Sequence, residues 1–519
     1  MKLGRASRVA TTSRDSADPG PVDHLSARDV RQRAVAGAAV DVLRAVGVKC
    51  LGLVGFLVLA RMLSPTDFGI VAFGTTLVTF ANFLADGGIG QALIRRVDPP
   101  ERADLKALLA FQLAFSTLLA AGIGLAALPF GTLGQVTALM ALTLPLTAVR
   151  APGSIVLERQ LSYRLLAAVE IVETICYFVW AIVTVSVGWG VWGLASASLV
   201  RALTGTTLLL ALLPAARLIP SLSWTRVKPL LGFGFRVQAV GIATFLRDLG
   251  TNAAVAVFAG VSALGVWSVA LRILQIPLLL ITSLWRISYP GMSRLVAAKE
   301  DVGPTIERVV AVTAVAAGLI VAPLVGATPA WVPALLGSQW NDAVAVIPPA
   351  SLHLIIVGPL SVALIGYLWA VGDASAVLRA TLAGFPLMAI VMIPLLMTIG
   401  VSAVGFGWLA FGLGEGTVLI RSARKHAEFR TRPALVPPTI LAVVGAATGW
   451  LASSAVGTTI LGGAVGALVA TAVYLLALWV WHRNTLLDVL QLGLRGLWQT
   501  FGRPLQGNAG TPAQAVPEA

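Results

Sequence analysis

The chain has 519 residues, of which 57% are hydrophobic and 12% charged, and a mean hydropathy of +0.88. A soluble domain carries about 25% charge, so the composition excludes a soluble globular protein and specifies an integral membrane one. The net charge of +14 could suggest nucleic acid, but the cations sit where membrane topology needs them, beside anionic lipid headgroups, and no nucleic-acid partner is expected.

Residues 1–35 are polar, with Arg5, Arg8, Arg14, Arg28, Arg31 and Arg33 and no apolar centre. They lack the core of a signal peptide and are read as a disordered cytoplasmic tail. Continuous apolar runs follow, each near the ~20 residues that span ~30 Å of hydrocarbon as a helix. Strands of a barrel would alternate instead. The runs predict fourteen helices, at about 39–61, 67–93, 104–127, 133–156, 164–187, 190–213, 231–258, 263–290, 304–327, 343–369, 376–398, 401–421, 435–453 and 457–481. The expected fold class is therefore an all-α integral membrane protein with fourteen transmembrane helices. The longest outer loop, Ala330 to Asp342, contains WVPALLGSQWND, and Trp331 and Trp340 are expected at the membrane interface. Beyond the last helix, Leu486, Leu490, Leu494, Leu497 and Phe501 recur at helical spacing and predict an amphipathic helix on the inner leaflet, ahead of a disordered end.

The positive charge alternates along this series. Of the 37 Lys and Arg, about 30 fall in every second gap or in the tails, and the intervening gaps hold about one, Arg61. Lys and Arg resist translocation, so both termini are expected in the cytoplasm and the even helix count is reinforced. Six cations remain inside apolar runs: Arg44, Lys49, Arg201, Arg247, Arg272 and Arg286. The acids inside runs are Asp86, Glu170, Glu173, Asp248 and Glu415.

A charge at mid-helix costs about 2.5–3.5 kcal/mol on insertion scales and so faces a cavity or a partner. Arg44, Arg286 and Glu415 lie near helix ends, where snorkelling to the interface accounts for them. Glu173 and Arg201 suit a structural pair between neighbouring helices at least as well as a functional role. Lys49, Arg247, Asp248 and Arg272 lie deeper. Asn252 follows Asp248 by one turn, and Gln275 shares nearly the same face as Arg272. A faint internal repeat relates FLVLARMLSPTDFGIVA to AVAVFAGVSALGVWSVA, and repeats of this kind place a transporter's site between the halves at mid-membrane.

An excess of deep cations over acids suits an anionic ligand, with Arg matching phosphate oxygens as a planar fork and Lys acting as a movable point charge. Asp248, Asp86 and Glu173 are the candidates for coupling to a proton or sodium ion. Other chemistries lack their residues. Cys50 and Cys176 sit in apolar runs and the four His are scattered, which leaves no disulfide framework and no metal cluster. No phosphate-binding G-x-x-x-x-G-K-[ST] loop, no potassium filter and no outer loop with paired carboxylates is present. No cofactor and no enzymatic activity are expected.

The stretch LARMLSPTDFGIVAFGTTLVTFANFLADGGIGQALIRR, residues 59–96, resembles the opening of bacterial polysaccharide-biosynthesis flippases of the multidrug/oligosaccharidyl-lipid/polysaccharide export superfamily. Residues 245–277, FLRDLGTNAAVAVFAGVSALGVWSVALRILQIP, resemble that family's helices 7 and 8, and LLGSQWNDAV and YLWAVGDASAVLRA its later region. The resemblance implies two six-helix lobes around a central cavity plus two C-terminal helices, with alternating access in the cytoplasmic (inner) membrane. On that plan residues 36–215 form the N-lobe, 216–430 the C-lobe, 431–482 the last two helices, and 483–519 the cytoplasmic end. It implies a polyprenyl-diphosphate-linked oligosaccharide as substrate, glycan polymerase and glycosyltransferases as partners beside anionic lipids, and a monomer. Lys49, Arg247 and Arg272 would then hold the diphosphate with Asn252 and Gln275 beside them, and Arg61 and Asp67 would lie at an outer gate. The rival readings are a multidrug or small-molecule exporter of the same superfamily, which the Arg bias of helices 1, 7 and 8 disfavours, and a membrane glycan polymerase or ligase.

Overall fold

In a computed structural model of the chain, the described residues are 47–483, apart from 50, 96, 97, 99, 161, 214 and 215, together with residue 487. Arg44, the expected N-terminal tail and nearly all of the expected amphipathic segment lie outside them. Every regular element among the described residues is helical. In chain order these are α1 (51–62), α2 (Pro65–Asp86), α3 (Ile89–Arg95), α4 (Arg102–Ala127), α5 (Gly131–Ala141), α6 (Thr143–Arg159), α7 (Tyr163–Ser186) and α8 (Val191–Leu212). They continue with α9 (Trp224–Phe258), α10 (Val261–Ala297), α11 (Gly303–Leu336), α12 (Asn341–Ala370), α13 (Ala374–Ile399), α14 (Ala403–Ala423), α15 (Arg432–Val456) and α16 (Ile460–Trp481). Among the described residues, ten helical stretches are long and apolar enough to cross a membrane, and two of these, Arg102–Arg159 and Ala374–Ala423, contain more than one of the α-helices. The protein is a multi-pass membrane protein.

Several expected boundaries moved: α9 starts at Trp224 and α10 ends at Ala297, each seven residues beyond the expected run, and three further runs differ as follows. The run expected at 67–93 is divided after Asp86 by Gly87 and Gly88, both at positive φ (56° and 70°), a conformation other residues reach at a steric cost. The run expected at 133–156 is divided at Leu142, which lets Pro145 fall in the first turn of α6, where its missing N–H costs little. In the opposite sense, α11 does not stop at 327 but continues through Pro329 and Pro333 to Leu336. Tertiary packing outweighs the two prolines there, because Ala330, Val332 and Leu336 are all buried.

The turns after α1, α7, α9, α11, α13 and α15 lie at one end of the bundle, and none of their described residues is Lys or Arg. That end is called cation-poor below, and the opposite end cation-rich. Helices α4–α8 pack chiefly among themselves, as do α10–α16, and α2 packs against both groups, most extensively on α10. In lipid no hydrophobic drive brings helices together, so small residues that allow close approach take its place. Gly326, Gly449 and Gly466 supply them where α15 and α16 meet α11, and the Tyr474 hydroxyl donates to the Val315 carbonyl at 3.2 Å. Between the two groups of helices, α2 crosses α10 with Gly69 against Gly265. A Cβ on Gly69 would collide with the Val261 carbonyl, and one on Gly265 with that of Pro65.

Candidate functional site

Several of the ionisable side chains inside the bundle fall in one layer. Arg247 precedes the end of α9, and Arg272 follows the start of α10, by about 16 Å of helix at 1.5 Å per residue. Counted from the same cation-poor end, Glu173 in α7, Arg201 in α8 and Glu415 in α14 lie about 15–20 Å deep, as does Lys49 below α1. That is the middle of a ~30 Å hydrocarbon core. The layer divides into three groups with different fates.

The first group is closed on itself. The Glu173 carboxylate is buried between two guanidiniums, accepting from Arg150 Nη1 at 2.7 Å and Arg201 Nε at 3.3 Å. Gly205 leaves the space that Glu173 and Arg150 occupy, and any larger residue would displace them. The expected Glu173–Arg201 pair is therefore present with a second cation added. Arg150 belongs to α6 and gave no sign in the charge pattern, where it counted as a topological cation.

The second group is half closed. Arg247 donates to Asp248 Oδ1 at 2.9 Å from Nε and at 2.8 Å from Nη2. Its guanidinium lies 5.8 Å from the Trp408 ring centroid and 5.1 Å from that of Phe411, both on α14. Such stacking contributes about 0.5–2 kcal/mol, more as water is excluded. Beyond the ring of Trp408 lies His353, 5.6 Å away centroid to centroid, and its buried Nδ1 has no hydrogen-bond partner among the described residues. Glu415 accepts from Thr381 Oγ1 at 3.0 Å. It therefore lies in the interior layer and not at the interface where snorkelling had placed it. His353, Thr381, Trp408 and Phe411 were not singled out from sequence. The one available signal was that His353 is the only histidine inside an apolar run.

The third group is open. Arg272, Gln275, Ile276, Leu279, Thr282, Ser283, Arg286 and Tyr289 form one exposed stripe along α10 towards the cation-rich end. At mid-membrane depth Arg272 on a lipid-facing stripe would cost about 2.5–3.5 kcal/mol, which favours a cavity or a partner over lipid, whereas Arg286 lies towards the helix end, where snorkelling accounts for it. The Arg272 guanidinium rests 4.9 Å from the Phe56 ring centroid on α1. Lys49, itself exposed, lies seven residues before Phe56, two turns along the same face of the helix. Among the described residues, no carboxylate pairs with either Arg272 or Lys49.

The remaining candidates lie elsewhere or are already engaged. Asn252 donates from Nδ2 to Thr76 Oγ1 at 2.8 Å, tying α9 to α2. Asp86, expected within a helix, sits at the C-terminal end of α2 and accepts from Gln112 at 3.2 Å, which removes it from the mid-membrane layer. Asp67 caps its own helix, accepting from the Ser64 N–H at 3.0 Å and from its hydroxyl at 2.6 Å, and among the described residues its carboxylate bonds to no other helix. Arg61 does bridge. Its Nε donates to the Leu335 carbonyl at 2.7 Å and its Nη2 to that of Ala334. Beside it, Trp340 Nε1 and Gln339 Nε2 donate to the Ala60 carbonyl at 2.8 and 2.9 Å. Trp340 is thus fully buried against the end of α1 and is not the interfacial anchor expected, because a short helical turn, residues 338–340, folds it inward. These bonds, with the Gly69–Gly265 crossing, join the two groups of helices at the cation-poor end.

Comparison with known proteins agrees with this architecture. Residues 58–345 match the family described as polysaccharide biosynthesis protein. The succinoglycan biosynthesis transport protein ExoT of Rhizobium meliloti (strain 1021) is 28% identical over 397 residues, covering 72% of this chain and 78% of that protein. Among solved structures, the lipid II flippase MurJ in an inward closed conformation superposes with a TM-score of 0.63 at 12% identity, covering 86% of this chain and 99% of that one. An inward-facing multidrug resistance transporter of the multidrug/oligosaccharidyl-lipid/polysaccharide superfamily gives 0.56 at 15% identity, covering 73% of this chain and 94% of that one. These relatives are transport proteins, not enzymes. With the family matched over more than half its length, the chain belongs to the polysaccharide biosynthesis protein family, and it has the fold of that export superfamily.

Proposed function

We propose that the protein is a secondary-transport flippase that moves a polyprenyl-diphosphate-linked oligosaccharide from the inner to the outer leaflet of the cytoplasmic membrane, for surface polysaccharide assembly. The observation that carries this reading is the exposed stripe of α10, where Arg272 lies at mid-membrane depth on Phe56, with Lys49 two turns before Phe56 on α1 and no described carboxylate paired with either. A diphosphate supplies the missing negative charge, and Arg matches its oxygens. The polysaccharide-transport relative favours a glycan cargo, whereas the multidrug transporters share only the fold. A cationic drug would meet like charge at Arg272.

On this reading the sixteen helices form fourteen membrane passages, with α2–α3 and α5–α6 each counting as one. Helices α1–α8 make the N-lobe, α9–α14 the C-lobe, and α15–α16 an added pair on α11. The cation-rich end is cytoplasmic by the positive-inside rule, as are both termini. The bonds of Arg61, Gln339 and Trp340 then close the outer side while the α10 stripe opens inward, which is one state of an alternating-access cycle. Lys49, Arg272 and Gln275 contact the diphosphate first, and Arg247 offers a second contact once its hold on Asp248 loosens. Asp248 is the acid best placed to couple that step to an ion. Asn252 and Glu173 hold helices together in this state, and Asp86 and Asp67 act at helix ends.

The test is the leaflet in which the lipid-linked intermediate accumulates. Loss of the protein, or Arg272→Ala at normal expression, is expected to leave the intermediate on the cytoplasmic leaflet and to reduce surface glycan about tenfold or more, the worth of one charge-assisted hydrogen bond of about 1.5–3 kcal/mol. Accumulation on the outer leaflet would instead indicate a polymerase or ligase. Normal glycan with new drug sensitivity would indicate an exporter.

A further inference from the structure

Helix α7 has two faces. Ile171, Val172, Ile175, Val179, Trp180 and Val183 are exposed and apolar, the face that suits lipid tails. Glu173, Ala181 and Thr184 are buried, and Tyr177 falls on their stripe, one turn from Glu173 and one from Ala181. Its side chain is therefore carried towards the bundle and not the lipid. Tyr177 precedes the end of α7 by about 14 Å of helix at 1.5 Å per residue, the depth of the layer that holds Arg201 and Arg272.

The surroundings of Tyr177 join it to the open cluster. Its ring meets that of Phe178 edge-on, with centroids 4.9 Å apart, and the Phe178 ring fills the space beside Gly55 on α1. The next residue of α1, Phe56, carries the Arg272 guanidinium on its ring. The Tyr177 hydroxyl lies within electrostatic reach of both Arg272 and Arg201. It has no hydrogen-bond partner among the described residues. Glu173, one turn back, is taken by Arg150 and Arg201. A phenolic O–H seeks an acceptor, guanidiniums offer none, and an unpaired hydroxyl at this depth is unfavourable. The acceptor best suited to a place between two cations is the oxygen of an anion.

We propose that Tyr177 is a substrate contact, its hydroxyl donating to an oxygen of the diphosphate whose charge answers Arg272. This rests on the diphosphate reading above and extends it across the molecule, because α7 packs in the α4–α8 group and α10 in the other. One ligand is then held from both groups of helices. The contribution of α7 is a neutral donor, which holds the ligand without adding a charge that release must overcome.

Calorimetric titration of the full-length protein in a neutral detergent, with geranyl diphosphate as the probe, tests this. Tyr177→Phe keeps the ring against Phe178 and removes only the hydroxyl. It is expected to weaken binding about tenfold, within the range of hydrogen bonds to charged groups, at a wild-type melting temperature. Phe178→Leu, which disturbs the same packing and leaves the hydroxyl in place, is expected to keep the affinity. Arg272→Ala is expected to weaken binding at least as much as Tyr177→Phe, and adding Tyr177→Phe to it should cost less than the tenfold seen alone, because both side chains hold one group. Unchanged affinity in Tyr177→Phe, with Arg272→Ala weakened, would overturn the contact and leave the diphosphate reading standing. Unchanged affinity in both would overturn the two together. Equal weakening by Phe178→Leu would make Tyr177 a packing residue and overturn the contact as well.

Discussion

Two clusters at the same depth treat charge in opposite ways. Around Glu173, two guanidiniums converge on one buried carboxylate, and three helices, α6, α7 and α8, are joined through it. Around Arg272, on α10, a guanidinium rests on the face of Phe56, and no described carboxylate pairs with it. Depth in the membrane is the same, so depth alone does not mark a ligand site. Pairing is the discriminating property. A cation whose charge is answered inside the protein supports the fold, and one left unanswered waits for something to bind.

The largest effect that tests this contrast is on stability. Glu173→Ala leaves Arg150 and Arg201 facing each other without their acid, and breaking a buried pair from one side costs about 3–5 kcal/mol. We expect a lowered melting temperature in detergent and poor expression. Arg272→Ala removes a charge that no described carboxylate pairs with, and we expect a melting temperature close to wild type with export lost. Equal destabilisation by both substitutions would collapse the distinction between the clusters.

The contrast was only partly legible in the sequence. Hydropathy is a local property, so the apolar runs marked most of the helices, and charge alternation predicts their sidedness. The deep cations were visible because an Arg in an apolar run is itself a signal. Which of them are answered was not visible, since pairing depends on neighbours distant in the chain. Arg150 looked topological until α6 placed it on Glu173, and Trp340 looked interfacial until residues 338–340 folded it under α1. Asp67 looked like a gate residue because it sits at an outer turn, but its spacing from Ser64 is that of a capping box. That reading was available from sequence and competes with the gate.

A smaller effect concerns access to the open cluster. Arg61 makes two charge-assisted bonds across the cation-poor end, each worth about 1.5–3 kcal/mol in favourable cases and less where water competes. Arg61→Ala is expected to shift the balance towards opening at that end by about tenfold. A reporter cysteine at Ser268, one turn above Arg272 on the same helix, would read this. In a background with Cys50 and Cys176 replaced by Ser, an impermeant thiol reagent applied from the cation-poor side should label it faster in the Arg61→Ala variant. Unchanged labelling would mean that the Gly69–Gly265 crossing, with Trp340 and Gln339, closes that end without Arg61.

The smallest effect separates a tie between helix groups from a ligand contact. Asn252 donates to Thr76, whose own hydroxyl donates to the Ala72 carbonyl, so the pair is a short chain from α9 into α2. A neutral side-chain hydrogen bond of this kind contributes about 0.5–1.5 kcal/mol. If it acts only as a tie, Asn252→Ala and Thr76→Val should each lower the melting temperature slightly, and the double variant should cost no more than either single one, because the two share one interaction. Export should fall equally in all three. A loss of export confined to Asn252→Ala, with Thr76→Val normal, would move Asn252 from the paired class to the unpaired one and place its amide against the substrate beside Arg247.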